Sequence, residues 1–203
     1  MRVLIGCEYS ARVRDAFRKL GHDAWSCDLE PCEGDPRWHF QDDISYVLRA
    51  SRGRWHAAIF HPDCTFLTNA GVRWLHKAPA NPKPGNLYGP ERWEAMRQAA
   101  RFFNRLKNSD IRFIAIENPI PHKYARELIG DYDQTIQPYQ FGQPYTKRTC
   151  LWLKNLPKLA PTKILPPPYI AEVHHASPGP ERWKARSRTY QGIADAMAAQ
   201  WGG

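Results

Sequence analysis

Two residues in this sequence are of the right type to do chemistry together. Cys64 follows a short apolar run, Ala57-Ala58-Ile59-Phe60, through His61-Pro62-Asp63. Glu117 follows a second apolar run, Ile111 to Ile116, and opens Glu117-Asn118-Pro119. Each run is short enough for a buried strand. Strand ends of a parallel sheet converge on one crevice, where open α/β folds bind their ligands. A thiolate facing an acid there can attack an activated ring or acyl carbon. A lone cysteine is more often a small buried hydrophobe. The Pro-x-Cys turn at a strand end, matched by a second strand ending in Glu-Asn-Pro, favours the functional reading.

The elements that must position this pair alternate in type. Val3-Leu4-Ile5 reads as a strand, and Ser10 to Leu20 as a basic amphipathic helix with Val13, Phe17 and Leu20 apolar, closed by Gly21. Ala24 to Cys27 is a second strand ending at Asp28, and Asp43 to Arg49 a short helix capped by its acids. Ala57 to Phe60 is the third strand. Proline, glycine and asparagine at 81–86 are loop chemistry. Gly89-Pro90-Glu91-Arg92-Trp93 starts a long helix, since proline's missing N–H is tolerated in a first turn. After the Ile111 to Ile116 strand come a helix (Lys123 to Ile129) and strands at Gln134 to Tyr139 and Thr149 to Leu153, an antiparallel pair at a sheet edge. Pro157 to Tyr169 is proline-rich and reads as an extended linker. Gly-Pro-Glu-Arg-Trp recurs at Gly179 to Trp183 as repeated helix-start chemistry, and Tyr190 to Trp201 is the last helix. Strands alternating with helices predict one Rossmann-like α/β domain over residues 1–203, a mostly parallel sheet with helices on both faces and an antiparallel edge.

Composition narrows the partners. The 203 residues carry a net charge of +9, which favours a polyanion, nucleic acid first, over an acidic-surface role. A basic solvated surface is the plainer reading of the same charge. Eight tryptophans and a hydrophobic fraction of 42% exclude a disordered chain. Five cysteines without a secretory pattern predict free thiols and a cytoplasmic protein. No apolar run approaches a membrane span. Cys27 and Cys32 with His174-His175 lack a second close pair at finger spacing, so no metal site is expected.

Taken in order, these segments resemble the C5-cytosine DNA methyltransferase family, in a compact, phage-type form. Leu4-Ile5-Gly6-Cys7-Glu8-Tyr9-Ser10 stands where that family has Phe-x-Gly-x-Gly-Gly; Gly6 is kept, and Glu8 and Tyr9 replace the other two glycines. Asp28, followed by Leu29, matches the acid that bonds the ribose hydroxyls, and Asp43-Ile44 resembles the Asp-Ile step at the adenine amine. Either acid alone also reads as a turn or cap residue. Pro62-Asp63-Cys64 resembles Pro-Pro-Cys, with Asp63 for the second proline. Glu117-Asn118-Pro119 is similar to Glu-Asn-Val. Gly142-Gln143-Pro144-Tyr145-Thr146-Lys147-Arg148-Thr149 resembles Gly-x-Pro-Gln-x-Arg-x-Arg, with Tyr145, Lys147 and Thr149 in the register of Gln, Arg and Arg. The closing helix resembles the family's Gly-Asn-Ala-Val block, with Asp195-Ala196 in place of Asn-Ala.

The resemblance implies S-adenosyl-L-methionine as cofactor, held by Gly6 to Ser10, Asp28, Leu29, Asp43, Ile44, Pro62, Asp195 and Ala196. It implies Cys64 as nucleophile, Glu117 at the base and Lys147 as the retained cation, with Asn118, Pro119, Tyr145 and Thr149 near the substrate. Lys147, Arg148, Arg73 and the line Arg97, Arg101 and Arg105 are the candidate phosphate contacts; for the line of three, a solvated helix face is the ordinary reading. DNA is the implied partner, single-stranded or with the target base flipped out. The stretch 154–180 stands in place of a target-recognition domain, which implies relaxed sequence preference, a partner protein that supplies recognition, or a smaller substrate. Three other readings stay open: a homologue that binds nucleic acid or a partner without transferring methyl groups, an enzyme on a free cytosine nucleotide, and a basic structural protein with a fortuitous cysteine. A carboxylate at Asp63 disfavours the neighbouring thiolate, which must then draw on helix N-terminal amides or on a nearby cation such as Lys147 or Arg148.

Overall fold

The computed structural model describes residues 1–171 and 182–203. In chain order the elements are β1 (Arg2–Gly6), α1 (Arg12–Lys19), β2 (Asp23–Asp28), β3 (His39–Gln41), α2 (Ile44–Ala50), β4 (Ala57–Phe60), α3 (Gly89–Lys107), β5 (Phe113–Pro119), α4 (Lys123–Ile129), β6 (Gln134–Ile136), β7 (Thr149–Lys154), α5 (Arg182–Ser187) and α6 (Gln191–Trp201). The seven strands form one sheet in the order β3-β2-β1-β4-β5-β7-β6. β1 to β5 are parallel, and β7 runs antiparallel between β5 and β6. After β1 the chain builds outward through β2 and β3, then returns to place β4 on the other side of β1. That reversal makes β1 and β4 the switch point of the sheet.

Successive residues of a strand face opposite sides, and both sides here are covered. Val3, Ile5 and Ile59 pack with Val13 and Phe17 of α1 and Met197 and Trp201 of α6. Leu4, Phe60, Ile114 and Ile116 pack with Val47 of α2, Phe103 and Leu106 of α3 and Ile129 of α4. Continuous apolar runs in the central strands follow from this double coverage. The mostly parallel Rossmann-like α/β fold with an antiparallel edge is therefore as the sequence predicts.

Several boundaries differ from expectation. The strand expected at Ile111 to Ile116 is β5, shifted forward, so Glu117, Asn118 and Pro119 are its last residues rather than a turn. β7 runs alongside and pairs Glu117 with Leu151, Asn118 with Cys150 and Pro119 with Thr149. β6 stops at Ile136 because Pro138, with no N–H to give, starts a 3-10 turn instead. Leu20, expected on the apolar stripe of α1, is the C-cap and is exposed. β3 is too short to be legible. The proline-rich stretch to 171 holds no helix or regular strand, yet it is tied down. Trp201 Nε1 donates to the Pro157 carbonyl at 3.0 Å, Gln200 brackets Ala160 through two 2.8 Å bonds, and Leu159 is buried. His174, His175 and the start of the second Gly-Pro-Glu-Arg-Trp lie outside the described residues. Among the described residues no group of His, Cys, Asp and Glu could hold a metal ion, and no helix is long and apolar enough to cross a membrane.

Gly6 shows how tightly the switch point is packed. A Cβ there would sit 2.6 Å from Phe60 Cδ1 and 2.9 Å from Ile44 Cδ1. Its retention is therefore a packing requirement between β1, β4 and α2. Gly6→Ala should lower unfolding stability in urea by about 1–3 kcal/mol, the usual cost of overpacking. A smaller change would mean that the Phe60 ring swings clear.

Candidate active site

The loop after β1 departs from a glycine-rich design in a specific way. Cys7 and Ala11 take left-handed backbone conformations, with φ of 58° and 61°, at a cost that glycine would not incur. Between them Glu8 turns inward and is buried. Its carboxylate accepts hydrogen bonds from the amides of Val13 at 2.8 Å and Arg14 at 3.4 Å and from the Ser10 hydroxyl at 3.2 Å. Ala11, the N-cap of α1, has no side chain to offer, so Glu8 satisfies the open amides of the helix start. Burial nevertheless pushes its carboxyl above the ordinary range, opposed by the nearby His61 and the helix amides. Tyr9 is buried too, and its hydroxyl donates to the Lys184 carbonyl at 2.5 Å. It anchors α5 over this loop.

A cavity of about 460 Å³ opens at the carboxyl ends of β1 and β4. Of the expected cofactor residues, Cys7, Glu8, Tyr9, Ser10, Asp28, Leu29, Asp43 and Ile44 line it. Gly6 and Pro62 lie beside it. Ala196 is buried in the α6 packing, and Asp195 is exposed, bonded to Gln191 Nε2 at 2.9 Å. Asp28 Oδ1 accepts the Glu30 amide at 3.0 Å, and burial raises its pKa. Asp43 caps α2 through the Ser45 amide, which holds its carboxyl below the usual range. Residues not expected also contribute: Asp42, His61, Asp63, Phe102, Ser187 and Thr189. His61 was detectable in principle, since it ends β4 at the switch point. Ser187 and Thr189 arrive from far along the chain, and no local pattern marks them. Glu8, Asp28, Asp42, Asp43 and Asp63 give the wall negative character, with no lysine or arginine in the described lining. Such a cavity suits a ligand rich in hydrogen-bond donors or bearing positive charge.

Beside the cavity, the ends of β4 and β5 bring the two expected residues, Cys64 and Glu117, within electrostatic reach of each other. His61 Nδ1 lies 2.9 Å from Glu117 Oε2, with both side chains almost wholly buried. Asn118 Nδ2 donates to the Pro62 carbonyl at 3.0 Å, tying the end of β5 to the Pro62-Asp63-Cys64 turn. Burial opposes ionisation of Glu117, but the bond to His61 and the charge of Lys147 outweigh it, and its carboxyl stays below its ordinary value. The Thr149 hydroxyl lies near both Glu117 and the Lys147 carbonyl, and its single proton serves one at a time; the carbonyl is at 3.1 Å. Cys64 is the opposite case. Burial first, then the charges of Asp63 and Glu117, push its thiol up to about 11, while Lys147 and Arg186 pull it down. The resting site therefore holds a thiol and a carboxylate.

The other expected contacts are dispersed. Lys147 Nζ donates to the Arg186 and Arg188 carbonyls at 2.9 and 3.4 Å, so its charge reaches Cys64 from a fixed position. Pro119 pairs with Thr149 at the sheet's upper edge. Tyr145 stacks on Tyr190, 5.4 Å between centroids, and packs toward the α6 side. Arg148 is exposed, and Arg73 lies over Trp74 at 4.3 Å. Of the arginine line on α3, Arg97 and Arg101 both pair with Glu94, at 2.9 and 2.8 Å, and Arg105 lies over Phe102 at 5.5 Å.

No protein-family model matches this chain, and no curated protein matches it. Solved structures with a similar chain path include one described as a candidate DNA modification methyltransferase encoded within prophage Cp of E. coli. It is 14% identical with a TM-score of 0.48, over 88% of this chain and 55% of that one. Another is the Entamoeba histolytica methyltransferase EhMeth, 11% identical with a TM-score of 0.46, over 81% of this chain and 57% of that one. The chain thus spans little more than half the length of either.

Two outcomes follow from these electrostatics. Asp63→Asn keeps an acceptor for the Thr65 amide but removes a charge beside the sulfur. The pH midpoint for alkylation of the Cys64 peptide, read by mass spectrometry, should fall below about 11; an unmoved midpoint would show that water screens Asp63. For Glu8, a folded-state pKa above the unfolded value means that its contribution is full below the ordinary carboxyl range. That contribution is lost as pH rises through the elevated value. Relative to Glu8→Gln, the wild type should therefore lose stability as pH rises above the ordinary carboxyl range. Parallel pH–stability curves would refute the elevated pKa.

Proposed function

We propose that this chain is an S-adenosylmethionine-dependent methyltransferase that modifies C5 of cytosine in DNA. The observation that carries the reading is the junction of two sites through His61. The donor-seeking cavity at the switch point lies on one side, and the Cys64–Glu117 pair lies on the other. The cavity is of nucleoside-ligand size. Asp28, the last residue of β2, and Asp43, after β3, line it and in this reading meet the ribose hydroxyls and the adenine amine. When bound, the cofactor supplies an electrophilic methyl group.

The chain's own residues account for the remaining chemistry. Cys64 thiolate adds to C6 of the cytosine, and the charge that builds on the ring is met at N3 by Glu117. C5 becomes the nucleophile and takes the methyl; loss of the C5 proton and of Cys64 then restores the aromatic ring. The reactive arrangement, thiolate with carboxylic acid, differs from the resting one by a single relocated proton. That relocation neutralises one of the charges that raise the Cys64 pKa, Glu117, while burial and Asp63 still oppose the thiolate. Lys147 supplies a fixed positive charge to both groups. A base in a duplex must be flipped out to reach them. Exposed Arg148 and Arg73 are the phosphate candidates, which set position without reading sequence. The net charge of +9 supports a polymer over a free nucleotide.

Glu8 in the helix-start amides and the elevated Cys64 thiol support a second reading, a homologue that binds without transferring methyl groups. Labelled methyl transfer to cytosine-containing DNA separates the two. Transfer by the wild type, abolished in a folded Cys64→Ala variant, is the expected result. Glu117→Gln should slow transfer about 10²- to 10⁴-fold, the range for a positioned acid, while DNA affinity changes little. No transfer by folded wild-type protein would leave the silent homologue or a free-nucleotide substrate.

A further inference from the structure

His61 stands between the two halves of the site and belongs to neither of the blocks that define them. Its side chain is 7% exposed. Its backbone N–H donates to the Gly6 carbonyl at 2.9 Å, extending the β1–β4 ladder and fixing where the ring starts. Nδ1 faces Glu117 at 2.9 Å. Since Glu117 is ionised at neutral pH, Nδ1 carries the proton and donates. Nε2 is buried and has no hydrogen-bond partner among the described residues, and His61 forms part of the cavity wall. A buried polar atom left unmatched costs about 1–3 kcal/mol, a cost removed when a partner enters. Glu8, whose carboxyl feels the charge of His61, already has its bonds on the α1 amides and Ser10. A donor entering the cavity, with a small turn of the ring, can match Nε2.

We propose that His61 is a bifunctional positioning residue: Nδ1–H orients Glu117 toward the base, and Nε2 takes a hydrogen bond from an N–H or O–H donor of the cofactor in the cavity. Filling the cavity then locks the ring, and the ring locks Glu117. Cofactor occupancy thereby orders the substrate-side acid before the base arrives. The Nε2 half rests on the methyltransferase reading, whereas the Nδ1 half stands on the protein alone. Glu117 also faces Lys147, Thr149, Cys64 and Cys150, so its titration reports the whole cluster and only the change on substitution isolates His61.

The two ring nitrogens can be separated by substitution. The amide nitrogen of asparagine overlays Nδ1, and the amide of glutamine overlays Nε2. Binding of S-adenosylmethionine is measured by calorimetry, and the Glu117 carboxyl is titrated by ¹³C NMR in ligand-free protein. His61→Asn should leave the Glu117 titration as in the wild type and weaken binding about five- to tenfold, one hydrogen bond's worth. His61→Gln should hold binding within about twofold and move the Glu117 titration to higher pH, because the donor that depresses it is gone. If both variants shift both readouts together, His61 is only a packing residue and the proposal is overturned. Asparagine binding as tightly as histidine overturns the Nε2 half. No binding by the wild type overturns the cofactor reading and the Nε2 half with it, and the Glu117 titration then decides the Nδ1 half on its own.

Discussion

The 2.9 Å contact between His61 and Glu117 is the constraint on which the rest of the site depends. A carboxylate taken out of water must be paired or it neutralises. Here the partner comes from the neighbouring parallel strand, so β4 and β5 must keep their register, Ile59 beside Ala115 and Phe60 beside Ile116, for the pair to form. The same register carries Pro62 to Asn118 Nδ2 and fixes the turn that holds Cys64. Removing His61 alone would strip Glu117 of its closest partner in the crevice, leaving Lys147 and Thr149, and breaking a buried pair costs far more than a surface ion pair returns.

Most of the architecture was legible because it follows from periodicity. Val3 to Ile5 and Ala57 to Phe60 are continuous apolar runs that only a doubly covered sheet can bury. The Asp43 cap and Pro90 in the first turn of α3 are local signals that structure leaves intact. Cys64 and Glu117 could be paired from their strand-end positions alone. What the residues did not reveal depends on long-range contacts. Glu117 continues a strand instead of turning because β7, more than thirty residues on, supplies the backbone partners. Glu8 was legible as a departure from glycine, but its inward turn depends on the left-handed Cys7, and nothing in a cysteine predicts that.

Charge is distributed unevenly. A chain with a net +9 carries, at its switch point, a cavity walled by five carboxylates, Glu8, Asp28, Asp42, Asp43 and Asp63. Among the described residues no lysine or arginine lines the cavity: most lie at the surface, Arg14 is buried, and Lys147 acts on Cys64. This separation gives the two sides of His61 opposite character, negative in the cavity and positive toward Lys147. Asp63 lies on the border, lining the cavity while raising the Cys64 thiol, so what favours ligand binding on one side holds back reactivity on the other.

The wall supplied by Ser187 and Thr189 has a consequence for biosynthesis. That segment is held down by Arg12 Nη1 on the Thr189 carbonyl at 3.0 Å, by the Arg188–Glu33 ion pair and by the Tyr9 hydroxyl, all reaching back to the first strands. During translation β1 through β5 can pair as they emerge from the ribosome, yet the cavity stays open on one side until residue 189 is released and docks. Pairing of the early strands thus precedes completion of the pocket, and because α6, which covers one face of the sheet, is made later still, core and pocket are finished together.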